Sequence, residues 1–119
     1  MAQGLHSAAD FVQQARAGNA EAIFFVHCMD GVNRAPAVGL AILMQLEGCS
    51  LVSAFDMMRA GRPSIRTKYI GVVAAFEQEC RGVCSVPALL NGPIADSKSF
   101  CELYNNITKS DIKDDYQIR

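Results

Sequence analysis

One stretch in the first half of this chain restricts its fold more than any other. An apolar run of strand-forming types, Ala-Ile-Phe-Phe-Val at 22–26, gives way to a polar, glycine-bearing loop at 28–34. Ten residues without a polar side chain then follow at 35–44. A short continuous run of this kind reads as a strand buried on both faces of a parallel sheet. The uncharged segment after it reads as a helix enclosed by protein, with Pro36 tolerated in its first turn and Gly48 just past its end. Strand, tight loop and buried helix in that order form a recurrent anion-binding device, because loop amides and the helix N-terminus converge on one spot.

The rest of the chain dresses that centre with helices. Ser7 is placed to cap a helix over about 8–17, with Phe11, Val12 and Ala15 on one face and Gly18 beyond the end. Ser50 is placed to cap another over 51–60, with Ala54, Phe55 and Met58 inward, broken by Gly61-Arg62-Pro63. Tyr69, Val72, Val73, Phe76 and Cys80 recur at helical spacing and predict a helix over about 67–81. After Cys84 the character changes. Pro87, Asn91-Gly92-Pro93 and the charged stretch at 109–115 suggest a loosely attached extension carrying at most a short helix near 97–104. The expected organisation is therefore residues 1–84 as one unit and residues 85–119 as a partly irregular C-terminal extension.

Composition excludes several alternatives. Half of the 119 residues are hydrophobic and the formal net charge is −1, as in a compact soluble domain with no global attraction to nucleic acid or acidic membranes. The longest uncharged run is half the roughly twenty residues that a membrane span needs. No basic segment followed by an apolar stretch opens the chain, so a cytoplasmic or nuclear address is expected. Five irregularly spaced cysteines argue against a disulfide framework, and with only His6 and His27 beside them no metal site is expected either.

The loop itself carries the chemistry. It starts with the thiol of Cys28 and ends six positions later with the guanidinium of Arg34, with Met29, Asp30, Gly31, Val32 and Asn33 between. Curled into a bowl, its amides would hold an oxyanion over Cys28 while Arg34 gripped two oxygens in paired charge-assisted hydrogen bonds. The same donors would stabilise a thiolate, lowering the Cys28 pKa from an ordinary value of about 8.5. His27 would orient the loop rather than react.

The stretch from Val26 through His27, Cys28 and Gly31 to Arg34 resembles the His-Cys-x5-Arg signature of protein tyrosine and dual-specificity phosphatases. The likeness continues through Ala35-Pro36-Ala37-Val38 and the helical pattern to Glu79. It implies a partial phosphatase-like α/β fold: a central parallel strand, the phosphate-binding loop, and a bundle of about four helices. It also implies hydrolysis of phosphate monoesters through a phosphocysteine on Cys28, with no cofactor and a phosphorylated protein as the expected substrate.

Three departures from the family pattern bear on rate. Members of the family take their general acid from an aspartate on a mobile loop well before the cysteine, after several strands, whereas 27 residues precede Cys28 here. The chain thus corresponds to the C-terminal half or two thirds of the fold. Asp10 is the one upstream aspartate and the remaining acid candidate, though a helix-surface role is the ordinary expectation for it. Ala35 stands where most members have Ser or Thr, so turnover should slow, although regenerating-liver and plant glucan phosphatases share Arg-Ala-Pro. Ile70 stands where some relatives have a water-positioning glutamine.

Asp30 is similar to the myotubularin lipid phosphatases, and Asn33 to RNA 5'-triphosphatases. Phosphoinositide, glucan or RNA 5'-phosphate substrates therefore stay open beside phosphoprotein, as does a phosphate-binding pseudophosphatase. Arg59, Arg62, Arg66 and Lys68 cluster in sequence near the loop and could steer phosphorylated substrates. Cys49 either packs or pairs with an oxidised Cys28. A shortened sheet would leave an exposed edge strand, so a homodimer through that edge is also expected.

Overall fold

The computed structural model describes residues 2–27, 34–62, 67 and 69–91. Among the described residues lie five helices: α1 (Ala2–Gly18), α2 (Arg34–Glu47), α3 (Leu51–Gly61), α4 (Ile70–Arg81) and α5 (Ala88–Asn91). Helix α2 is the hub, packed against α1, α3 and α4. Its Leu40, Ala41 and Met44 meet Leu5 and Ala9 of α1, Leu51 and Phe55 of α3, and Ile70, Val73 and Phe76 of α4 in one core. Each of the larger of these side chains, removed from water, contributes about 1.5–3 kcal/mol. Val86 and Leu89 are buried in the same core, so the chain as far as α5 packs onto α4.

Most helix ends follow from local chemistry. Helix α2 stops because Gly48 adopts φ +65°, a left-handed turn open to glycine, and its N–H donates to the Met44 carbonyl at 3.0 Å. Two residues on, Ser50 caps α3: its Oγ accepts from the Ser53 N–H at 3.0 Å. Helix α3 therefore folds back at 118° to α2. Gly82, at φ +80°, ends α4 in the same way as Gly48 ends α2.

Helix α1 differs from expectation at both its start and its buried face. It begins at Ala2, with Ser7 inside it rather than capping it. Leu5, Ala9 and Val12 form the buried stripe, and Phe11 is 68 % exposed. The cause is tertiary. Leu5 enters the core, and His6 lies 2.5 Å from the Glu79 carboxylate of α4 and 4.6 Å from the Phe76 ring, so the first turns are held against α4. Helix α4 is also rotated from the expected face. Ile70, Val73, Ala74, Phe76 and Glu77 are buried, whereas Cys80 is exposed.

The expected central strand needs correction. Residues 22–27 form no strand, and among the described residues there is no β-ladder at all. Nor are both faces buried. Exposure alternates along the segment, with Ala22, Phe24 and Val26 half-buried and Ile23, Phe25 and His27 exposed. This period of two is that of an extended chain with one face against protein. Phe24 and Val26 line two grooves together with residues of α2, and Ile23 and Phe25 stand almost fully exposed. The helical half of the expectation fares better, since α2 to α5 all follow the loop.

Candidate functional site

Cys28, Met29, Asp30, Gly31, Val32 and Asn33, the heart of the expected loop, lie outside the described residues, as do Arg66 and Lys68. The two ends of the loop are described. His27 closes the extended segment and stacks on Phe25 two residues before it, ring centroids 5.1 Å apart, so both rings stand on the outward face. Arg34 is the first residue of α2 and is exposed. His27 and Arg34 line one groove of about 350 Å³, bounded by Ala8, Phe11 and Val12 of α1. The fold thus brings the two flanks of the loop to the same opening.

The local geometry suits an anion. The first four N–H groups of a helix have no intrahelical partner, and they carry the positive end of its dipole. Pro36, in the first turn, removes one of those N–H groups without breaking a helical bond and fixes the entry of the chain. Helix α2, without a polar side chain from Ala35 to Met44 and packed against α1, α3 and α4, holds that N-terminus in place. On the other side of the 24–27 segment runs a larger groove of about 750 Å³. Its walls include Gly39, Ile42 and Leu43 of α2 and Met57, Met58 and Arg62 at the end of α3. Within the basic cluster, Arg62 lines this groove, while Arg59 lies 5.7 Å over the Phe55 ring.

Other sequence candidates fall elsewhere. The Asp10 carboxylate accepts from the Gln45 amide at 2.9 Å, and that amide also donates to Gln13 at 2.6 Å. Gln45 is on the last turn of α2, eleven residues and about 16 Å along the axis from Arg34. The structure therefore does not bring Asp10 and Arg34 together. Cys49 is fully buried past the same far end, its thiol 3.8 Å from the Leu43 carbonyl. Its burial is that of a packing residue, and the pairing with Cys28 falls outside the described residues. Ile70 is fully buried and faces the core. Among the described residues, no group of His, Cys, Asp and Glu is arranged to hold a metal ion, and no single helix is long and apolar enough to cross a membrane.

One buried group escaped the sequence reading. Glu77 is fully buried on α4 and accepts from the Leu51 N–H at 2.8 Å, the Ser85 N–H at 2.8 Å, the Ser85 hydroxyl at 3.0 Å and Arg81 at 2.5 Å. It joins the start of α3 to the link between α4 and α5. Arg81 at i+4 was the available signal. Cys80 and Cys84 lie nearby, and in both burial pushes the thiol pKa above its ordinary value. For Cys80 the Arg81 charge opposes this rise, and for Cys84 a hydrogen bond with the Val86 backbone does.

Comparison with known proteins identifies the scaffold. Residues 1–79 match the model of the dual specificity phosphatase catalytic domain. The chain belongs to that family. It is 36 % identical over 76 residues to dual specificity protein phosphatase Mpk3 of Drosophila melanogaster, covering 62 % of this chain and 18 % of the relative. It is 27 % identical over 79 residues to human dual specificity protein phosphatase 16, covering 65 % of this chain and 12 % of the relative. The match thus spans less than a fifth of each curated relative. No solved structure matches. Residues 28–34, where the sequence reading places the catalytic loop, lie within the matched stretch, and α2 begins at Arg34.

Proposed function

We propose that this chain hydrolyses phosphate monoesters, with phosphoprotein as the substrate class, through a phosphocysteine on Cys28. The observation that carries the reading is the convergence of His27 and Arg34 on one groove at the N-terminus of α2, in a chain of the dual-specificity phosphatase family. Both matched relatives are named protein phosphatases, which favours a protein substrate.

In the proposed first step the Cys28 thiolate attacks phosphorus in line, an S–P bond forms, and the bond from phosphorus to the leaving oxygen breaks. The leaving oxygen takes a proton from water. Loop amides and Arg34 hold the charge that grows on the equatorial oxygens. A water molecule then attacks phosphorus, the P–S bond breaks, and inorganic phosphate leaves with the thiolate restored. Ala35 offers no hydroxyl to the departing sulfur, so this second step is the slower one.

A second reading has its own support. Asp10 is engaged with Gln45 far from Arg34, so the chain could bind phosphate esters with little turnover on unactivated substrates. An aryl phosphate, whose leaving group needs little protonation, separates the two. Vanadate-sensitive turnover that Cys28→Ser abolishes supports the enzyme. Phosphate binding with no turnover of the aryl ester supports the binding module and removes the first reading.

A further inference from the structure

We propose that Cys80 and Cys84 form a reversible disulfide with each other, a thiol-redox latch that fixes the segment after α4 against that helix. Both are free thiols here, Cys80 exposed in the last turn of α4 and Cys84 half-buried in the segment that follows. Gly82 lies between them at φ +80°, a left-handed turn that ends the helix and sends the chain back along it. What hangs from this turn gives the latch its effect. Val86 is 3 % exposed and Leu89 4 %, and the Leu89 carbonyl stands so close to Gly71 that a Cβ there would lie 3.5 Å from it. This packing lies beyond the matched residues 1–79.

The course of the returning chain is fixed by Glu77. Its carboxylate accepts from the Ser85 N–H at 2.8 Å and the Ser85 hydroxyl at 3.0 Å, and the Cys84 thiol bonds to the same side chain. Cys80 stands three positions after Glu77, and residues three apart on a helix are surface neighbours with Cβ atoms about 5–6 Å apart. Both thiols therefore adjoin one carboxylate, and the charges of Glu77 and Arg81 act on both. A disulfide asks for Cβ atoms about 3.5–4.5 Å apart, and the glycine in the turn supplies the backbone freedom to close to that separation.

A small-molecule disulfide such as glutathione disulfide is the oxidant. The Cys80 thiolate, the more accessible of the two, attacks one of its sulfurs, a mixed disulfide forms, and one glutathione leaves as thiolate. The Cys84 thiolate then attacks the Cys80 sulfur of the mixed disulfide, and the second glutathione leaves. The two protons released by Cys80 and Cys84 end on the two glutathione thiols, and the protein gives up two electrons. Burial raises both thiol pKa values, so closure is slow at neutral pH and quickens on the alkaline side.

The full chain, incubated with glutathione disulfide at about pH 8.5 and quenched with N-ethylmaleimide, tests the latch. Trypsin cuts after Lys68, Arg81 and Lys98, so Cys80 and Cys84 fall on different peptides. The expected product is peptide 69–81 joined to peptide 82–98, in a chain that runs as a monomer on a non-reducing gel. Cys28→Ser should give the same product, so the outcome does not depend on the catalytic reading. In that background the joined form should melt at least about 5 °C above the reduced chain, and dithiothreitol should reverse the rise. Adding Cys80→Ser or Cys84→Ser should abolish it. Separate glutathione adducts on Cys80 and Cys84, or joining of either to another cysteine instead, overturns the proposal. So does a joined form that melts no higher than the reduced chain, because the segment would then be held equally well without the bond.

Discussion

Arg34 stands at the first position of α2, exposed and opposite His27 across a groove. A lysine there would keep the charge and lose the planar fork that grips two oxygens. Arg34→Lys should therefore lower kcat/KM on an aryl phosphate by about a hundredfold, the scale of one lost oxyanion donor, with the thermal midpoint unchanged; comparable rates would remove Arg34 from the site. The thiols give a second check at this scale. Burial raises the pKa of Cys80 and Cys84, and Cys49 is enclosed, so at pH 6 to 7 iodoacetamide should label Cys28 ahead of these three, read by peptide mass mapping. Labelling of Cys80 or Cys84 ahead of Cys28 would contradict a stabilised thiolate. The sign for stability follows from the same shifts. The fold favours the neutral thiols, so their contribution is complete below the ordinary thiol pKa of about 8.5 and is lost as pH rises through the raised values. Urea midpoints should accordingly fall on the alkaline side, and fall less in a Cys84→Ala variant.

At the scale of the elements, Glu77 is the hinge of the helical half. It holds the first N–H of α3, the Ser85 backbone and hydroxyl, and Arg81 at once. Its removal takes the acceptor from the Leu51 and Ser85 backbone donors and breaks the largely buried ion pair with Arg81. Glu77→Ala should cost about 3–5 kcal/mol in urea unfolding, and Ser50→Ala about 1 kcal/mol through the lost cap. A Glu77→Ala change as small as that of Ser50→Ala would show the cluster to be dispensable. The legible elements were those whose ends are written locally: Gly48 stopping α2, Ser50 capping α3, Gly61 at the end of α3. The start of α1 was not legible, because Leu5 and His6 are held by residues on α4 some seventy positions away. The face of α4 was misread for a related reason. Ile70, Val73, Ala74 and Glu77 fit a helical period as well as the all-apolar choice does, and only the Leu51 and Ser85 donors make a buried carboxylate tolerable.

For the molecule as a whole, α2 packs against α1, α3 and α4, and among the described residues two grooves run between it and the 24–27 segment. The family was legible because His27, Cys28, Gly31 and Arg34 fall in one short stretch between two patterned segments. A general acid was not, because it acts through a position in space that no local pattern encodes, and Asp10 lies bonded to Gln45 at the opposite end of α2. That placement has a kinetic consequence. General acids contribute about 10²–10⁴-fold, and most for poor leaving groups. With no carboxylate near Arg34 among the described residues, rates should fall steeply as the leaving-group pKa rises across a series from nitrophenyl to alkyl phosphates. Asp10→Asn should leave both the slope and the nitrophenyl rate within about twofold of the parent, since its neutral amide can still meet Gln45 on the surface of α1. A shallow slope in the parent that becomes steep in Asp10→Asn would instead establish Asp10 as the proton donor, and would require α1 to swing toward Arg34 during turnover.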